Sequence, residues 1–420
     1  MEDDLSIFDF EDDVQIILNK EVLSPDYIPP RIIGRDEQIK QIASLMKYLI
    51  KGNGDKAENA LIFGPPGCGK TVVSKCVLNT LMAKLERDPI PVNVDWVYIH
   101  CKKVYTSTSV LYTLIQHLDP RTKVPRCGYS LDYYYNELFK LMNTKNTALI
   151  VILDEIDFLR SDNVLYNFSR AIANEELFDG RFISIIGLSN STKYEETLDD
   201  RIISSMGFKK FRFPSYYADP IYHILLDRIN LAFAPNSISE ELLMDCSEDA
   251  ANAGGDIRKA LCVLEEAAEL AVDNGECKIS KEYLTMAEEK VHIEEIINSV
   301  VGLPRHHKII LASIIKLVER SHSVYTGEVI KMYRLLCKQV SIKPLDDSTV
   351  SKSISSLEMQ SFIRFTKVNI GSRGGISRLI SVSSTDITQM KQGIYDDFKL
   401  EDLIDYFPTG YLSAIQIERR

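Results

Sequence analysis

A chain of 420 residues that is 45% hydrophobic and 26% charged has apolar mass for two or three separate cores, so more than one domain is expected. The net charge of −11 argues against a surface that is basic throughout, but residues 296–385 hold thirteen Lys and Arg against five Asp and Glu, a local +8 that leaves −19 for the remainder. No apolar run of about 18 residues is free of charge, and Met1-Glu2-Asp3-Asp4 is acidic where a secretion signal needs base, so a cytoplasmic protein with no membrane partner is expected.

Residues 1–26 carry nine acids and one base, Lys20, with Phe8 and Phe10 as apolar anchors, and read as a flexible acidic lead-in or a loosely docked helix. From 27 to 213, the strand-like runs Ala60–Phe63, Val94–His100, Leu149–Leu153 and Phe182–Leu188 alternate with helical patterns. Strands spaced by helices predict a parallel α/β sheet covered on both faces. After Pro214 the β-runs stop, and Pro220–Phe233, Glu240–Ala251, Ile257–Asn274 and Lys281–Ser299 predict a helical domain over 214–300. In 301–385, three helical patterns (Lys308–Arg320, Gly327–Val340, Ser348–Met359) precede two β-runs, Phe362–Val368 and Ile376–Val382, the order of a winged helix. The glycine-rich connector between those runs holds Arg373, as a hairpin tip would. Residues 386–420 form a tail to which the sequence assigns no function.

Gly64-Pro65-Pro66-Gly67-Cys68-Gly69-Lys70-Thr71 matches GxxxxGK[ST], directly after the strand ending at Phe63 and before a helix beginning near Val72. Glycines let successive backbone N–H groups curl around phosphates, and the helix N-terminus adds partial positive charge. Lys70 is expected at the β- and γ-phosphates of ATP and the Thr71 hydroxyl on magnesium. The run Leu149–Leu153 ends in Asp154-Glu155. Asp154 at the strand's C-terminal edge would hold magnesium, directly or through water, and Glu155 would polarise the attacking water. Asn190 closes the run Ile185–Asn190 and would orient that water. Arg201 is placed to reach a neighbouring subunit's γ-phosphate as an arginine finger, and Arg258, at a helix start in Gly254-Gly255-Asp256-Ile257-Arg258, to touch nucleotide from above.

The eight cysteines show no CxxC pair and no nearby histidine at metal-ligand spacing, so they read as reduced, mostly buried thiols. With only seven histidines, peptidase, metal-hydrolase and redox readings lack the residues they need.

The ordered set of P-loop, Asp154-Glu155, Asn190, Arg201 and the Gly-Asp-x-Arg ending at Arg258 resembles the AAA+ superfamily across most of 27–300. Within it, Tyr27-Ile28-Pro29 to Gly34-Arg35-Asp36-Glu37-Gln38 is similar to the adenine-side segment of the archaeal origin recognition complex and cell-division-cycle initiator family. The winged helix is similar to that family's C-terminal domain. The resemblance implies slow, magnesium-dependent ATP hydrolysis used as a switch, recognition of double-stranded origin DNA and recruitment of the replicative helicase, with other initiator subunits or paralogues as further partners. It also implies a DNA-distorting helical insertion, for which the candidate is 101–135 with Lys102, Lys103, Thr106 and Ser107. Asp200 stands where the family often carries proline.

On the third helix of the winged helix, Ser348, Thr349, Ser351, Lys352 and Ser355 form a polar face opposite Val350, Ile354 and Leu357. With Arg373 and Arg378 in the wing and Arg364 and Lys367 behind them, these are the expected DNA contacts. Two other readings use the same residues: a clamp-loader-like remodelling motor whose C-terminal domain serves assembly, and a paralogue that regulates near promoters.

Overall fold

The computed structural model describes residues 15–25, 27–51, 56–172, 174–178, 180–320, 324–369, 376–383, 386–408 and 411. The chain divides into two compact units, Met1–Leu284 and Thr285–Arg420.

In the first unit, a short 3-10 turn Lys20–Leu23 precedes α1 (Asp36–Ser44) and α2 (Lys47–Lys51). Then follow β1 (Ala60–Phe63), α3 (Lys70–Arg87), β2 (Asn93–His100), α4 (Ser107–Leu118), α5 (Leu131–Lys145) and β3 (Thr147–Asp154). The α/β region closes with α6 (Asn163–Arg170), β4 (Ile183–Ser189), α7 (Asp200–Met206) and β5 (Lys209–Arg212). Among the described residues these strands make one five-stranded sheet in the order β2-β3-β4-β1-β5, with every pairing parallel. β1 and β4 are buried along their whole length and β3 along all but Asp154, because helices cover both faces. Since all strands run the same way, the loops after β1, β2, β3 and β4 emerge at one edge, where ligands of such sheets collect.

β5 lies outside the strand runs read from the sequence. Lys209-Lys210-Phe211-Arg212 has no apolar run to announce it, and it forms an edge strand whose lysines pair with Glu58 and Glu195. Its position is dictated by β1, against which it pairs from Ala60↔Lys209 to Phe63↔Arg212.

The helical region follows as α8 (Ala218–Ala232), α9 (Glu240–Asn252), α10 (Ile257–Asp273) and α11 (Lys281–Val301), close to the sequence-derived spans. Ser239 caps α9 and Asp256 caps α10, each accepting from a backbone N–H in the first turn. The described part of the acidic N-terminal stretch is docked here: Ile16, Val22 and Leu23 are buried, and Ile17 bridges to Phe233 at the end of α8.

In the second unit, α12 (Arg305–Val318), β6 (Val324–Tyr325), α13 (Thr326–Gln339), α14 (Asp347–Met359), β7 (Arg364–Asn369) and β8 (Ile376–Ser381) form the winged helix. Its antiparallel sheet has the order β6-β8-β7. The tail adds α15 (Ile387–Tyr395) and a 3-10 turn Phe398–Leu403, whose Met390, Ile394, Leu400 and Leu403 complete the core of α12–α14. Arg305 binds Asp397 at 2.8 Å, and the Tyr411 hydroxyl donates to the Glu328 carbonyl at 2.6 Å. Met390, Ile394, Leu400, Leu403 and Tyr411 thus belong to this domain's core, so the segment read from the sequence as a separate tail packs onto the winged helix. Among the described residues no helix is long and apolar enough to cross a membrane.

Candidate functional site

The turn from β1 into α3 crosses a crowded place. A Cβ at Gly64 would lie 2.4 Å from the Phe213 carbonyl oxygen, and one at Gly67, whose φ is +70°, would lie 1.9 Å from the Asp256 carboxylate. Only glycine satisfies both the close approach and the left-handed backbone. Lys70, 7% exposed, donates from Nζ to the Gly64 and Pro65 carbonyls at 2.7 and 2.8 Å and to Asn190 Oδ1 at 2.9 Å. Burial lowers its pKa, opposed by the neighbouring Cys68 and Asp154. A cation that is half stripped of water and held by neutral acceptors is suited to take an anionic ligand.

At the tip of β3, the two carboxylates are placed differently. Asp154 accepts from the Thr71 hydroxyl at 2.8 Å and the Tyr98 hydroxyl at 2.9 Å on one oxygen, and from the Glu155 N–H at 2.9 Å on the other. Glu155 sits in the left-handed region at φ +51°, a backbone conformation that costs a non-glycine residue and collects at functional sites. Its Oε2 is buried without a hydrogen-bond partner, 3.6 Å from His100 Nδ1, which is equally unpartnered. A hydroxyl and a carboxylate in contact are hard oxygen donors of the kind that would suit magnesium.

These groups open on a cavity of about 560 Å³. Pro66, Gly67, Cys68, Gly69, Lys70, Thr71 and Val72 line it from the loop and α3, and Asp154, Glu155 and Asn190 from the strand ends. Tyr27 and Ile28 line it from the N-terminal stretch, and Arg258 from α10. Gly64 and Pro65 border a smaller neighbouring depression with Asn190, Phe213 and Pro214. Arg258 forms a two-point pair with Asp256 at 3.2 and 3.0 Å, which raises its pKa against the opposing effect of burial. Arg201 does not line the cavity: it is the second residue of α7, after the N-cap Asp199 and Asp200, its side chain is 80% exposed, and its Nε and Nη2 donate to Asp199 at 3.0 and 2.8 Å. Its hydrogen bonds hold the Asp199 carboxyl down to about 2.

Residues to which the sequence reading gave no role join or brace this site. Tyr98 and His100 project from β2, brought beside Asp154 by the register His100↔Asp154. The strand run containing them was visible, but its neighbour in the sheet was not. Arg35 is buried, donates to the Cys68 and Pro214 carbonyls at 3.1 and 2.7 Å, and stacks 3.6 Å from the centre of the Tyr216 ring. It ties the glycine loop to Pro214, at the start of the helical region, which lies 179 residues after Arg35.

The DNA candidates lie elsewhere in the chain. Lys102 and Lys103 are exposed in the turn after β2, with Lys102 Nζ 5.8 Å from the Phe158 ring centre. Thr106 and Ser107 have structural occupations: Thr106 makes the capping box of α4 with Ser109, and Ser107 is buried. On α14, Ser348 and Thr349 both donate their hydroxyls to the N-cap Asp346 at 2.6 Å, Ser351 is half-buried and Lys352 exposed. Arg364 is exposed on β7, and Lys367 pairs with Arg378 in the hairpin register. Arg378 donates to Ser355 at 2.8 Å and stacks 4.7 Å from the Phe365 ring centre, so it also braces the hairpin against α14. Arg373 and the hairpin tip around it lie outside the described residues.

Three family models match the chain: an AAA domain over residues 54–187, a Cdc6 AAA+ ATPase-type lid domain over 222–289 and a CDC6 C-terminal winged helix domain over 298–391. The ORC1-type DNA replication protein of Desulfurococcus amylolyticus is 33% identical over 91% of this chain and 95% of its own length. ORC1-type DNA replication protein 1 of Methanosarcina acetivorans is 33% identical over 94% of each chain. The Aeropyrum pernix ORC1 protein, solved in complex with DNA, superposes with a TM-score of 0.80 at 29% identity, covering 93% of this chain and 99% of that one. With a nucleotide-binding AAA+ fold, a Cdc6-type lid and a winged helix in one chain, at this identity along nearly the whole length, the chain belongs to the ORC1/Cdc6-type family of DNA replication initiators.

Proposed function

We propose that this initiator binds double-stranded origin DNA under the control of ATP, through its winged helix and its α/β region, and helps to recruit the replicative helicase. The observation that carries the nucleotide half is that Thr71, Asp154, Lys70 and Glu155, whose Oε2 has no hydrogen-bond partner, line one cavity. In this reading Lys70 binds the β- and γ-phosphates and Thr71 and Asp154 hold magnesium, which would offset phosphate charge. Glu155 accepts the proton of the attacking water, Asn190 orients that water, and Arg258 senses the nucleotide from the lid. Arg201 acts on the nucleotide of a second protomer, which its exposed position outside its own cavity supports, and turnover by a lone chain is accordingly slow.

For the DNA half, the support is the likeness to the DNA-bound Aeropyrum pernix ORC1 together with the local charge of +8 over 296–385. Lys352, Arg364, Arg373 and Arg378, with Lys102 and Lys103 in the α/β region, supply the cations; Ser348, Thr349 and Ser351 line the same helix of the winged helix. Fluorescence anisotropy on duplexes tiled from the intergenic DNA beside the protein's own gene, with scrambled duplexes, a salt series and ATP present or absent, tests it. A site preferred by more than about a hundredfold, with a steep salt slope and tighter binding with ATP, is expected. Equal, weak binding to every duplex would sink the origin-binding reading.

A further inference from the structure

Arg228 lies on α8, is 8% exposed, and lines the nucleotide cavity. Its Nη1 donates to the Val22 carbonyl at 2.9 Å and its Nη2 to the Tyr27 carbonyl at 3.4 Å, while the guanidinium carbon lies 4.3 Å from the Tyr27 ring centre. One planar, forked cation thus bridges two carbonyls five residues apart and stacks on a ring, a combination of contacts that an ammonium group does not reproduce.

Two other ties hold the same stretch of chain. The Leu18 N–H donates to the Ala232 carbonyl at 2.7 Å and the Ala234 N–H to the Ile16 carbonyl at 2.8 Å, at the end of α8. Lys20 pairs with Glu265 and Glu269 of α10 at 2.7 and 2.9 Å. The described residues of 16–28 therefore run as a strap along the helical region, although in sequence they precede the α/β sheet. The strap ends as a wall of the cavity at Tyr27 and Ile28. Ile224, Leu231, Ile257 and Leu261 line the same cavity, an apolar lining suited to a flat heterocycle and not to phosphates, which in this reading belong at Lys70 and Thr71. Ile224, Asp227, Arg228 and Leu231 fall at i, i+3, i+4 and i+7, so a single face of α8 both lines this end and grips the strap.

We propose that Arg228 is a positioning residue for the purine end of the site: it fixes the Tyr27–Ile28 wall to α8, so that affinity for the base, and not for the phosphates, depends on it. The proposal rests on the reading of the cavity as an ATP site. The test is calorimetric titration of the full chain, in magnesium, with ADP and separately with tripolyphosphate, which has no base. Arg228→Met, which keeps the apolar stem, is expected to weaken ADP by about tenfold, the scale of one charge-assisted hydrogen bond, and to leave tripolyphosphate within about twofold. Arg228→Lys, which keeps the charge but not the fork, is expected to weaken ADP by less in the same direction, and it carries the test if the Met variant loses its cooperative melt. Unchanged ADP binding, or an equal loss of both ligands, overturns the clamp. Wild-type protein that bound neither ligand would overturn the ATP-site reading itself, and the two failures are distinguishable.

Discussion

In the nucleotide cavity Lys70 is buried and its ammonium is held by three oxygens, whereas the cations proposed to meet DNA, Lys352 and Arg364, lie exposed on α14 and β7. The two regions meet different chemical demands. The proposed hydrolysis needs groups fixed within a fraction of an ångström, and the parallel sheet brings Thr71, Asp154, Glu155 and Asn190 to one cavity. Affinity for a phosphate backbone needs positive charge at roughly the right surface, and long solvated side chains supply it without tight packing. Single substitutions should therefore act steeply in the first region and gradually in the second.

The largest effect is expected at Glu155. Glu155→Gln removes the proposed proton acceptor and keeps the shape, so single-turnover ATP hydrolysis should fall about 10²- to 10³-fold with ATP affinity little changed. Hydrolysis within a few-fold of wild type would place the base elsewhere and break the contrast. A smaller effect is expected in the winged helix, where Lys352→Ala should lower the salt slope of duplex binding by about one and weaken all sequences alike. Arg378→Ala sharpens the comparison, because this arginine also bridges to Ser355 and covers Phe365: it should reduce both DNA affinity and melting temperature, while Lys352→Ala leaves melting unchanged. Equal melting for both variants would mean that Arg378 is no brace.

The smallest effect concerns the N-cap of α14. Asp346 accepts from the Ser348 and Thr349 hydroxyls and the Thr349 N–H, which hold its carboxyl well below the usual carboxylate range. A depressed carboxyl contributes stability at pH values above its unfolded pKa of about 3.9, and that contribution is lost as pH falls through the folded value. Asp346→Ala should therefore melt a few degrees lower at neutral pH, with the gap to wild type closing below about pH 4. A gap that stayed constant down to pH 2 would assign the loss to something other than the ionised cap.

Much of this was legible in the linear chain. The glycine loop and the acid-tipped strand are contiguous motifs whose local geometry follows from residue type, and the helices of the lid and winged helix carry amphipathic spacing and Ser or Asp caps. The polar face read on α14 was legible too, but not its use: Ser348 and Thr349 serve the cap, which a hydroxyl pattern alone does not reveal. Thr106 on α4 teaches the same lesson.

Sequence by itself determined the three-part architecture, the glycine loop between β1 and α3 and the concentration of basic charge near the C-terminus, because each depends on residues close together in the chain. Only the tertiary structure decided that β5 joins β1, that Tyr98 and His100 stand beside Asp154 and Glu155, that Arg35 ties Cys68 to Pro214, and that Met390, Ile394, Leu400, Leu403 and Tyr411 complete the winged-helix core. The strap on which Tyr27 reaches the cavity belongs with these, since Arg228 meets it across about two hundred residues. Such contacts have no local signature: each partner alone is an ordinary tyrosine, histidine or arginine, and its role follows from which distant carbonyl or carboxylate the packed helices and sheet bring within reach.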